Sequence, residues 1–187
     1  MNVALPPVAS RRPPAWTPAL SSASFRERGW LLSRGSLTRL IQQRCSGFRV
    51  KPLLQTRALP CRDELAVLGL RRGELALVRE VYLYCDTTPV VFAHSVVARE
   101  NLRGAWRGLS GLGSRSLGAA LFANPRVRRA PFQFKKLHSS HPLFRRACRG
   151  LPAPPPCLWA RRSLFSLHGK SILVTEVFLP AILELGS

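Results

Sequence analysis

Arg79 in "LVREVYLYC" and Glu176 in "SILVTEVFLP" are charged residues set in strand-like text whose neighbours are apolar. Side chains alternate along a strand, so Ile172, Val174, Glu176 and Phe178 share one face, and Leu77, Arg79, Val81, Leu83 and Cys85 share another. Glu176 is also isolated in sequence, because no acidic residue lies between Glu100 and it. A charge on an apolar face is costly unless it is paired, neutralised or used. Two explanations are open. Arg79 and Glu176 form a structural ion pair, or one of them reaches solvent at a sheet edge. Alternatively they share a pocket in which the planar guanidinium takes a carboxylate and the carboxyl group meets a hydroxyl or moves a proton.

The elements that position these residues follow from local patterns. "SFRERGWLLSRGSLTRLIQQRC" reads as helical, with an apolar cluster at Trp30, Leu31 and Leu32. Ser36 is a plausible N-cap for a second helix carrying Leu37, Leu40 and Ile41. Residues 48–70 mix short apolar runs with Pro52, Pro60 and Gly69, which suits a strand and a connection. Residues 74–100 hold two β-branched and aromatic runs around "CDTTP", the pattern of an antiparallel hairpin. Residues 101–129 read as short helices broken by glycines, ending in a turn at Asn124 and Pro125. "GLGSRS" within them begins like a dinucleotide fingerprint but lacks the third glycine, the preceding strand and the following acid. Residues 138–157 are basic and proline-rich and read as an exposed loop. "RRSLFSLHGKSILVTEVFLP" closes the chain as a second hairpin turning at His168 and Gly169. The sum is an α+β single domain, an antiparallel β-sheet flanked by helices over residues 25–187, after a disordered basic, proline-rich tail at 1–24.

Composition narrows the function classes. At 187 residues and 46% apolar content the chain suits one domain with a real core. The formal charge of +20 points toward anionic partners, but 25 Arg against 4 Lys are scattered without a basic block or interleaved aromatics. Nucleic-acid binding is therefore the weaker expectation, and a salt-dependent shift of labelled DNA or RNA would be its signature. No run of 18 apolar residues occurs, so no stable membrane insertion is expected. Five cysteines without a C-x-x-C pair suit a reducing, cytoplasmic setting better than a disulfide framework. No histidine or cysteine spacing matches a metal site, so no metal is expected.

"LVREVYLYCDTTPVVFAHSVV", "LGSRSLGAALF" and "LWARRSLFSLHGKSILVTEVFLP", in this order and spacing, closely resemble the chorismate pyruvate-lyase family. The similarity runs more weakly from about Trp30 to Pro180. It implies a single-domain antiparallel sheet flanked by helices and a cofactor-independent lyase. That enzyme converts chorismate to 4-hydroxybenzoate and pyruvate at the start of ubiquinone biosynthesis. Carried over by position, the family's carboxylate-binding arginine matches Arg79, its pocket glutamate Glu176 and its ligand-contacting leucine Leu117. Its methionine contact falls on Leu37, a volume-conserving exchange. Arg79 and Glu176 are thus the expected catalytic pair, with Leu37 and Leu117 as substrate-binding walls, in a protein expected to be a monomer. A sensor domain of the same fold, as in some bacterial transcription regulators, is the alternative; such regulators carry an N-terminal winged helix, for which a tail of 24 residues leaves no room.

Overall fold

The computed structural model describes residues 15–104 and 106–185. Two short helices come first among the described elements. In α1 (Phe25–Leu31), Ser24 and Glu27 form a reciprocal capping box, and Trp30 and Leu31 turn inward. In α2 (Leu37–Gln42), the expected cap at Ser36 accepts from the Arg39 N–H, and Leu37, Thr38 and Ile41 are buried. Strand β1 (Phe48–Ala58) is an exposed edge whose register slips at Pro52, where the missing N–H cannot join a ladder. The connection that follows contains α3 (Arg62–Leu68).

The first hairpin pairs β2 (Ala76–Cys85) with β3 (Thr88–Ala98), and the second pairs β6 (Leu158–Leu167) with β7 (Lys170–Phe178). His168 and Gly169 both take positive φ at the second turn, 50° and 72°, matching the twist of the strands they join. Between the hairpins lie two 3-10 turns, α4 (Leu117–Ala123), β4 (Arg128–Arg129), β5 (Gln133–Leu137) and α5 (Pro142–Cys148). The seven strands form one antiparallel sheet in the order β1-β2-β3-β7-β6-β4, with β5 also on β6. Because β3 pairs with β7, the two hairpins join at the centre of the sheet. This is the α+β, single-domain antiparallel sheet flanked by helices that the sequence predicts. One face packs against α1, α2 and α4; the other against α3 and α5.

Three expectations need correction. Residues 138–157 are not simply an exposed loop, since α5 buries Leu143, Phe144 and Ala147 and its Arg146 and Ala147 carbonyls accept from the Tyr82 hydroxyl. The tail expected over 1–24 already belongs to the domain from Trp16. Its indole donates to Asp63 at 2.8 Å, Thr17 bridges to Phe134, and Leu20 is buried; residues 1–14 of that tail lie outside the described residues. Finally, Cys45 and Cys85 form a disulfide. Phe48 sits opposite Cys85 in the β1–β2 register, so the turn before β1 brings Cys45 beside Cys85 across a separation of 40 residues. The argument from cysteine spacing to a reducing compartment thereby loses its footing. No described helix is long and apolar enough to cross a membrane.

Candidate active site

Strand alternation settles where the two inward charges lie. Arg79 pairs with Ser95, and Ala93 pairs with Glu176, so both charges stand on the sheet face that α2 and α4 cover. Leu37 begins α2, Leu117 begins α4, and all four residues line one cavity between sheet and helices. Thr38 and Ser116 join the two helices through a hydroxyl pair at 2.6 Å, which fixes the leucines beside each other's elements. Gly118 faces the Thr38 hydroxyl so closely that an added Cβ would lie 3.3 Å from it.

Arg79 is buried but is not paired with a carboxylate among the described residues. One nitrogen, Nη2, donates to the carbonyls of Gly113 and Arg115, each at 3.0 Å, and buried Nε has no partner among the described residues. Those carbonyls belong to "GLGSRS", whose Gly113 takes φ 51°. The glycine run is thus a cradle for a guanidinium. Burial lowers the Arg79 pKa from its ordinary value. Its charge is held by neutral acceptors, which leaves it available to an anionic ligand.

Glu176 is bound instead to Arg161, directly opposite it on β6, with Nε to Oε2 at 2.5 Å. Arg161 is fully buried, and its Nη1 donates to the carbonyls of Trp30, Leu31 and Ser33 at 3.1, 3.0 and 2.8 Å. It therefore ties the end of α1 to the carboxylate and satisfies acceptors that the helix end leaves open. The Arg79–Glu176 ion pair is not formed. Arg161 is a site residue that sequence reasoning missed, although it stands in the quoted "LWARRS". A second missed residue, Arg129 on β4, lines the same cavity.

The opposite face of the sheet holds a separate charge network. His94 Nδ1 lies 3.0 Å from Glu80 Oε1, Nε2 lies 3.2 Å from Glu64, and Arg146 reaches the same Glu80 oxygen at 2.7 Å. Burial alone would lower the His94 pKa, but Glu64 and Glu80 outweigh it and hold it up at about 9. Cys61, Glu64 and His94 are close enough to hold a metal ion, with ligand atoms within 4.8 Å of one another. Their protonation opposes it: burial and the neighbouring Glu64 push the Cys61 thiol pKa far up, and His94 retains its proton. Nearby, Asp63 accepts from Trp16, Lys135 and His141; these contacts overcome its burial and hold its carboxyl well below the usual range.

A one-sheet α+β fold with a covered cavity that presents a carboxylate and a guanidinium without a carboxylate partner among the described residues has the form of a binding or catalytic domain for a small molecule. The profile of the chorismate lyase family matches residues 14–185. The chain belongs to the chorismate lyase family. It is 70% identical over 172 residues to a probable chorismate pyruvate-lyase of Nitrosospira multiformis, covering 91% of this chain and 96% of that one. A probable chorismate pyruvate-lyase of Nitrosomonas europaea is 62% identical over 173 residues, covering 92% and 97%. Among solved structures, the effector domain of PhnF from Mycobacterium smegmatis aligns with a TM-score of 0.55 at 14% identity, covering 79% of this chain and 90% of that one. At that identity the likeness concerns the fold alone.

Proposed function

We propose that this protein is a chorismate lyase that releases 4-hydroxybenzoate and pyruvate, the step that feeds ubiquinone biosynthesis. The observation that carries the proposal is the cavity itself: buried Arg79 without a carboxylate partner among the described residues, and Glu176 held by Arg161, both lining a space walled by Leu37 and Leu117. Chorismate is a dianion with a ring carboxylate, an enolpyruvyl ether and a neighbouring hydroxyl. Arg79 receives the ring carboxylate and fixes the ring between the leucine walls.

The ether C–O bond then breaks and the ring hydrogen at the hydroxyl-bearing carbon leaves as a proton. The ring becomes aromatic, and the enolpyruvyl methylene ends protonated as the methyl of pyruvate. Atoms, charge and electrons balance without an external oxidant or reductant. Aromatisation supplies the driving force, so the protein's task is to orient the ring and place charge. Glu176 sits at the hydroxyl end, where it accepts the hydroxyl's hydrogen bond and takes part in the proton transfer. Arg161 holds that carboxylate in place.

The test is incubation of the purified protein with chorismate and EDTA. Equal amounts of 4-hydroxybenzoate and pyruvate are expected. Tight binding of 4-hydroxybenzoate with no turnover would support the sensor reading instead, and activity lost to EDTA and restored by one divalent ion would overturn the metal-free chemistry.

A further inference from the structure

Three guanidiniums, those of Arg79, Arg129 and Arg161, line the cavity together with the single carboxylate of Glu176. Arg161 is committed to Glu176 and to three backbone carbonyls. Arg79 and Arg129 remain as cations with no carboxylate partner among the described residues. They stand on β2 and β4, with β3, β7 and β6 between them. Four strand spacings separate their backbones by roughly 19 Å along a flat sheet, room for a ring and its substituents between the two side chains.

Arg129 is placed to receive an anion. Its Nη2 donates to the Arg34 carbonyl in the α1–α2 connection, and no other hydrogen bond is formed by its guanidinium among the described residues. The guanidinium stacks 4.3 Å from the Phe132 ring centre and 5.4 Å from that of Phe122. Arg161 also lies 4.4 Å from the Phe132 centre, so the ring serves both cations. Phe122 is 45% exposed, which marks this end of the cavity as the open one. Burial and the Arg161 charge lower the Arg129 pKa, while Glu176 opposes them. Three guanidiniums and one carboxylate leave a formal excess of two positive charges, equal and opposite to the charge of a dicarboxylate.

Resting on the lyase reading above, we infer that Arg129 receives the second carboxylate of the substrate, that of the enolpyruvyl arm, and thereby distinguishes the dianionic substrate from the monoanionic ring product. The arm lies toward the open end, beside Phe122, and the ring carboxylate lies at Arg79. Once the ether breaks, the pyruvate fragment keeps its own carboxylate at Arg129 and leaves through the mouth, while 4-hydroxybenzoate stays on Arg79.

Calorimetric binding of two ligands tests this without relying on turnover. One is 4-hydroxybenzoate. The other is the enolpyruvyl ether of 3-hydroxybenzoate, an aromatic analogue that keeps both carboxylates and cannot lose pyruvate by aromatisation. Arg129→Gln is expected to weaken the dicarboxylate at least about tenfold while changing 4-hydroxybenzoate less than about twofold, the selective loss that removing one charge pair produces. Arg129→Lys should recover part of the loss, because an ammonium supplies charge without the planar fork. Equal weakening of both ligands, the result of a merely disturbed cavity, overturns the assignment, as does no weakening of either. A wild-type protein that binds the dicarboxylate through Arg129 but does not turn over chorismate overturns the lyase reading and leaves this assignment standing.

Discussion

Arg161 and Glu176 face each other across the β6–β7 pair with Nε and Oε2 2.5 Å apart. Arg161 is 1% exposed, and its other hydrogen bonds reach the end of α1. The carboxylate at the cavity is therefore oriented by a cation that is itself fixed by backbone. Arg161→Met should leave three carbonyls and one carboxylate without their donor and destabilise the fold by about 3 kcal/mol. Arg161→Lys should recover part of the stability and less of the turnover, since one ammonium cannot hold Glu176 and three carbonyls in the same geometry. Denaturant unfolding and chorismate turnover measured on both variants check this; equal stability of wild type and Arg161→Met would contradict it.

Arg79 presents the opposite case, a buried cation whose acceptors among the described residues are neutral carbonyls. Arg79→Ala should weaken 4-hydroxybenzoate binding by roughly 2–5 kcal/mol, the scale for removing one member of a desolvated charge pair. Arg79→Lys should restore only a part. Thermal stability should fall little, because the unliganded protein loses an uncompensated buried charge along with its contacts. Equal affinity of wild type and Arg79→Ala, measured by calorimetry, would remove Arg79 from the site.

Strand alternation was enough to find Arg79 and Glu176 and to put both on an apolar face. It did not find their partners, because partners depend on register. "RRS" places Arg161 and Arg162 on opposite faces, and only the pairing of β6 with β7 decides which one meets Glu176. Arg129 escaped notice because β4 is two residues long and carries no periodicity. Leu37 and Leu117 look like ordinary helix-core residues, and family resemblance alone singled them out. The same limit hid α5, whose His141 cap and Pro142 start were overshadowed by the prolines around them.

The Cys45–Cys85 bond closes a loop of about 40 residues, and the chain-entropy model assigns such a loop about 4 kcal/mol of stability. Cys45→Ser should therefore lower the unfolding free energy by several kcal/mol when measured without reductant, and a thiol reductant should bring the wild type down toward the variant. Alkylation followed by mass measurement supplies the independent check. Five reactive thiols in denatured, unreduced wild type would show that the bond does not form.

On the back face, His94 has a folded-state pKa of about 9 against an ordinary 6.5. A raised pKa contributes stability that is fully present below about 6.5 and is lost as pH rises through about 9. The expected loss is on the order of 3 kcal/mol across that window. Glu64, Glu80 and Arg146 surround the imidazole, so the proton leaves a network whose charges were balanced with it. His94→Gln should be less stable at pH 6 and show a flatter profile. Unfolding free energies that stay level between pH 6.5 and 9.5 in the wild type would contradict the assignment.

Glu176→Gln separates a structural carboxylate from a chemical one. The side chain is 21% exposed, and a glutamine carbonyl can still accept from Arg161 Nε. Arg161 keeps its three backbone acceptors in the variant, so the buried guanidinium is not left without partners. Melting should then fall by no more than a few degrees, corresponding to about 1 kcal/mol. The amide, however, cannot take a proton from the substrate, nor can it bind the ring hydroxyl as a charged acceptor does. Turnover should drop at least roughly tenfold, or about 1.4 kcal/mol of barrier. Product affinity should change less, because Arg79 holds the carboxylate end. Thermal unfolding, turnover and 4-hydroxybenzoate binding on one preparation decide between the roles: a folded variant with undiminished kcat withdraws Glu176 from the chemistry, whereas a large melting drop with proportionate loss of binding makes its bond to Arg161 a structural brace.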